Sequence, residues 1–156
     1  MERVLLVEHN LLFRDGLALL LEWRTGLSSV YARSLAEAKG ILDDANQKPA
    51  CVIVDLDLPD REGTDLLKEL SALPVLALIR SRNLEREAEA MGLGAEEVLL
   101  TGSVEKIAAS VQRLVVAHLA DAPHPARLLP YLCDVTRGGG PKTLRASSRL
   151  SEGEGT

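Results

Sequence analysis

Aromatic residues are scarce in this chain: one Trp, two Tyr and one Phe among 156 residues. Single-stranded nucleic acids are gripped largely by stacking bases on aromatic faces, so a binding surface of that kind is not expected. Basic charge is not in excess either. Lys and Arg number 18 against 23 Asp and Glu, for a formal net charge of −5, which argues against direct nucleic-acid binding through a cationic face. Cysteine is limited to Cys51 and Cys133. That is neither metal-binding spacing nor a disulfide framework, and it suits a reducing cytoplasm. No apolar run is long enough to span a bilayer, and the run Val4–Val7, preceded by Glu2 and Arg3, is too short for a secretory core. A cytoplasmic protein with no membrane association is expected.

What the chain does have is aliphatic residues in a regular order. Short apolar runs at Val4–Val7, Ser28–Ala32, Cys51–Val54, Val75–Ile79 and Val98–Leu100 read as strands. Between them lie amphipathic stretches. A helix from Leu11 has Leu12, Leu17, Leu20 and Leu21 as inward candidates. One capped by Ser34 has Glu37 at capping-box spacing, and Thr64 opens another with Leu66, Leu67 and Leu70 inside. A fourth runs from Asn83 to Gly92 or Gly94, and a fifth, capped by Ser103, carries Val104, Ile107, Ala108, Val111, Leu114 and Val115. Strands alternating with helices predict a doubly wound α/β fold with a five-stranded parallel sheet, flavodoxin-like, in the order 2-1-3-4-5. Residues 1–120 are expected to form this domain. Residues 121–156, rich in Pro and then Gly, read as a largely disordered tail with an apolar docking patch at 128–133.

The stretch Ala50–Gly63, ACVIVDLDLPDREG, stands out. A β-branched run buried on both faces delivers Asp55 to the carboxyl end of a strand, where α/β sheets place their chemistry. Asp57, Pro59, Asp60 and Gly63 then supply turn residues and acceptors. Because the first strand neighbours the third in this topology, Glu8 and His9 are expected to share a pocket with Asp55.

Asp55, Pro59 and Gly63 at that spacing, with an acid after the first strand, resemble the receiver domain of two-component response regulators over about residues 2–118. The opening Glu8–Arg14, EHNLLFR, is similar to receivers that precede LuxR-like DNA-binding domains. The resemblance implies that Asp55 is the phosphoacceptor of a phosphorelay, fed by a histidine kinase or a small phosphodonor. It implies Mg2+ held by Glu8, by Asp55 and by the backbone carbonyl of Asp57. It also implies pairing of receivers through the fourth and fifth helices, so the expected partners are a histidine kinase or other signalling protein and a second copy of the chain.

Four positions depart from the family pattern. His9 stands where the usual metal-binding acid would be, and imidazole suits so hard an ion poorly, so Mg2+ binding should be weak. Ile79 occupies the place of the switch hydroxyl, Val98 that of the switch aromatic, and Thr101 that of the lysine. Arg80 is the one cation near the fourth-strand exit that could substitute for the lysine, although an exposed, solvated charge is the plainer expectation. The sequence therefore predicts a signalling module, not an enzyme, with weakened or phosphorylation-independent function. The alternative is a haloacid-dehalogenase-like phosphatase using Asp55 as nucleophile and Asp57 as general acid, suggested by the Asp-x-Asp in VDLDLP. After residue 120 too little chain is expected to remain for a helix-turn-helix unit.

Overall fold

In a computed structural model of the chain, residues 2–58, 63–70 and 72–121 are described. The apolar runs form strands β1 (Arg3–Val7), β2 (Ser28–Ala32), β3 (Cys51–Asp55), β4 (Val75–Ile79) and β5 (Glu97–Leu100). They pair in parallel in the order β2-β1-β3-β4-β5, the order expected from the sequence. Helices α1 (Leu11–Thr25), α2 (Leu35–Asp43), α3 (Thr64–Leu67), α4 (Leu84–Gly92) and α5 (Val104–Ala120) connect and cover them, with one 3-10 turn at Ala45–Gln47. The expected tail, its patch at 128–133, and Pro59 and Asp60 lie outside the described residues.

Strand side chains alternate, and here each parity feeds its own core. Val4, Leu6, Cys51, Ile53, Leu76 and Leu78 pack against Leu17, Leu21, Ile107, Val111 and Val115 of α1 and α5. Leu5, Val7, Val52, Val54, Val75, Ala77 and Ile79 pack against Leu35 and Ala38 of α2, Leu66 and Leu67 of α3, and Ala90 of α4. Both faces of the central strands are thereby buried, which is why β3 and β4 read as unbroken apolar runs.

Helix starts follow local chemistry. The side chains of Asn10, Ser34 and Asn83 accept hydrogen bonds from the backbone N–H of Phe13, Glu37 and Arg86. Glu37 returns a carboxylate to the Arg33 N–H at 2.8 Å, one residue earlier than the usual capping box. Gly26 ends α1 at φ 77°, a conformation that glycine adopts without cost.

Three local expectations change. Leu12 is 86% exposed, since it lies about 140° around the helix from Leu17, which with Ala18 and Leu21 sets the buried face. The helix opened by Thr64 lasts one turn only, although Leu70 is still buried through a turn from its N–H to the Leu67 carbonyl. Ser103 precedes α5 without a side-chain cap bond, because its backbone is not extended (ψ 55°).

Gly63 is required by close approach. A Cβ there would meet the Asp55 carbonyl oxygen at 2.5 Å and the Leu56 Cα at 2.8 Å, both backbone atoms. Gly16, in the middle of α1, has nothing within 4 Å of such a Cβ. Gly63→Ala should therefore destabilise the fold by about 1–3 kcal/mol, whereas Gly16→Ala should stabilise it by about 0.5–1 kcal/mol. Urea unfolding of the two variants checks this, and equal midpoints would contradict it.

Candidate functional site

The register of β1 on β3 sets the site. Val7 stands opposite Val54, so the next residues of the two strands, Glu8 and Asp55, emerge side by side at the carboxyl ends. Parity then aims them: Glu8 continues the Val4, Leu6 series and Asp55 the Cys51, Ile53 series, both on the side covered by α1 and α5. By the same counting, Arg80 follows Leu76 and Leu78, and Thr101 follows Leu99. Glu8, Asn10, Phe13, Asp55, Arg80 and Thr101 accordingly line one pocket of about 320 Å³.

Glu8 and Asp55 are 5% and 1% exposed, and two carboxylates in so dry a place repel one another. Burial pushes the Glu8 carboxyl up from 4.5 to about 7, against the pull of the hydrogen bond that it accepts from the Asn10 N–H at 2.9 Å. That net rise also includes the neighbouring Asp55 carboxyl, which pushes the same way, and the charge of Arg80, which opposes it. Asp55 is anchored through one oxygen, Oδ1, which accepts from the Asp57 N–H at 2.9 Å. Its other oxygen, Oδ2, lies 3.6 Å from Nδ1 of His9.

His9 joins the acids as the sequence anticipated. Its Nδ1 is 3.5 Å from Glu8 Oε1, and Glu8, His9 and Asp55 each offer a ligand atom within 4.8 Å of the others. The ring's far nitrogen, Nε2, meets Nη2 of Arg80 at 3.3 Å. Arg80 is thus exposed, as the plainer reading held, yet its guanidinium is turned to the site.

Of Ile79, Val98 and Thr101, the three expected switch positions, Thr101 alone lines the pocket. Ile79 is buried and Val98 half-buried in the opposite core, packed with the α2, α3 and α4 residues. The sequence reading missed Arg86. From the first turn of α4 it donates through Nη1 to Asp57 Oδ1 at 2.9 Å and through Nη2 to the Leu56 carbonyl at 3.2 Å. A basic residue three positions after a cap is commonplace, so no spacing signal marks it.

The raised Glu8 pKa makes a stability prediction. Between the ordinary carboxylate range and about pH 7 the folded chain holds a proton that the unfolded chain has lost, so stability falls as pH rises through this window. Glu8→Gln, which keeps an acceptor for Asn10, should raise stability by up to about 3 kcal/mol at pH 8 and change little at pH 4. Thermal melts across pH test this, and parallel wild-type and variant profiles would contradict it.

Comparison with known proteins agrees with this architecture. The profile of the response regulator receiver domain matches residues 4–111. The chain is 30% identical over 142 residues to the virulence transcriptional regulatory protein PhoP of Salmonella typhi, a match covering 88% of this chain and 62% of that protein. It thus spans less than two thirds of that relative's length. A CheY-like receiver domain protein from Methanospirillum hungatei superposes with TM-score 0.70 at 18% identity, over 78% of this chain and 99% of that one. A response regulator from Burkholderia pseudomallei, solved with a phosphorylated aspartic acid, a calcium ion and citrate, gives TM-score 0.61 at 26% identity, over 72% of each chain. None of these supports the phosphatase alternative, and Asp57, the general acid it needs, is bound by Arg86. With its parallel sheet, its third-strand aspartate and most of its helices inside the matched span, this chain belongs to the family of response regulator receiver domains.

Proposed function

We propose that this receiver works in a two-component phosphorelay with Asp55 as a weak phosphoryl acceptor, so that its signal depends as much on protein contacts as on phosphorylation. The observation that carries the reading is the pocket itself: a buried aspartate beside a second acid, with Thr101 where a lysine would stand. Oδ1 of Asp55 accepts from the Asp57 N–H, and a carboxylate oxygen of Asp55 attacks phosphorus as the donor's P–N or P–O bond breaks. The arriving group carries negative charge into a site that already holds two acids. Arg80 is the cation available from the protein to offset it, and its charge already acts on Glu8. The absent lysine removes a charge-assisted hydrogen bond of about 1.5–3 kcal/mol.

The acids Glu8 and Asp55 suit Mg2+, but His9 brings an imidazole nitrogen where a hard oxygen belongs. Binding of Mg2+ is therefore weak in this reading, and Asp57 would contribute its carbonyl only, since Arg86 occupies its carboxylate.

A histidine kinase or another signalling protein is the partner implied by the family, and the negative net charge favours output through protein contacts over nucleic acid. Pairing through α4 and α5 is part of the proposal. It is supported by exposed Leu84 and Met91 on α4 and by likeness to the NtrC4 receiver domain, 25% identical at TM-score 0.66, solved as a beryllofluoride-activated dimer. Among the described residues no helix is long and apolar enough to cross a membrane, which accords with a cytoplasmic place of work.

Acetyl phosphate with millimolar Mg2+, followed by intact mass, tests the reading. Wild type should gain one phosphoryl group slowly and incompletely, Asp55→Asn none, and Thr101→Lys should label roughly tenfold faster or more. Rapid, complete labelling of wild type with no gain from Thr101→Lys would overturn the weakened-acceptor reading.

A further inference from the structure

At the carboxyl ends of the strands, among the described residues, one buried polar atom lacks a hydrogen-bond partner: Nδ1 of His9. Its separations from Glu8 Oε1 and Asp55 Oδ2, 3.5 and 3.6 Å, are too long for ordinary N–H···O bonds. They are close to the spacing of neighbouring donors around a four-coordinate cation. Bonds of about 2.1 Å to nitrogen and oxygen set tetrahedral neighbours about 3.4 Å apart. Octahedral Mg2+, with bonds of similar length, would draw adjacent donors to about 3.0 Å.

The chemistry of the set points the same way. One imidazole with two carboxylates is a mixed nitrogen and oxygen environment, which suits zinc-class ions, whereas Mg2+ favours oxygen alone. The two acids are buried, while the His9 side chain is 32% exposed and gives a path from solvent.

The geometry points to a pocket that has exchanged Mg2+ for a nitrogen-accepting divalent cation of the zinc class, with Glu8, His9 and Asp55 as its protein ligands. This rests on the reading above that the pocket takes a cation. Arg80 competes with that cation. An imidazole bound to metal through Nδ1 carries its hydrogen on Nε2, and arginine is a donor only, so the 3.3 Å contact between Arg80 and Nε2 must open when metal enters.

The test is direct titration of the full chain with Zn2+, Co2+ and Mg2+ by calorimetry, with the visible absorption of Co2+ reporting its coordination. Wild type should bind one Zn2+ or Co2+ at this pocket with tetrahedral Co2+ absorption, and Mg2+ far more weakly. His9→Ala should lose about tenfold or more in Zn2+ affinity. His9→Asp should lower the Zn2+ to Mg2+ preference by tightening Mg2+, and Arg80→Ala should tighten Zn2+. His118→Ala, remote from the pocket, should change nothing. Zn2+ affinity unaltered by His9→Ala, or wild type binding Mg2+ as tightly as His9→Asp does, would overturn the exchange while leaving a cation pocket standing. Failure of both wild type and His9→Asp to bind any of the three ions would remove the cation pocket itself.

Discussion

The pairing of β1 with β3 is the constraint on which the site depends. Val7 opposite Val54 brings two strand ends level, and the shared parity of Glu8 and Asp55 turns both acids to the face beneath α1 and α5. A slip of one residue would send one of them into the opposite core. The slip is prevented by hydrocarbon: Val4 and Leu6 fill one side of β1, Leu5 and Val7 the other, and each fits only its own set of helices. Chemistry at the carboxyl ends is thus positioned by packing at the strand centres.

That packing forces two carboxyl groups into one dry place. The molecule answers with unequal roles. Asp55 has a backbone N–H fixed on one oxygen, while burial raises the Glu8 carboxyl to about 7. Arg80 brings the positive charge that acts on Glu8, and its guanidinium also meets Nε2 of His9 at 3.3 Å. Thr101 adds no charge to the pocket, and Ile79 and Val98 have been absorbed into the core beneath α2, α3 and α4.

Much of this was legible before any coordinates. The strand order, the capped starts of α1, α2 and α4 and the meeting of Glu8, His9 and Asp55 follow from apolar runs, caps and topology, which are local or pairwise signals. The errors arise where a side chain's fate depends on a third element. Leu12 is as apolar as Leu17, but the angle fixed by the rest of α1 leaves it in solvent. The length of α3 depends on how Leu70 is reached, and a turn suffices. The contact between Arg86 and Asp57 joins residues 29 positions apart, and no pattern within either segment announces it.

That contact has a mechanical meaning. One guanidinium grips both a side chain and a main-chain oxygen of the segment just beyond Asp55, and it does so from the opening turn of a helix. A planar fork with two attachments resists rotation as well as stretching. The segment after β3 and the head of α4 are therefore yoked through a single side chain.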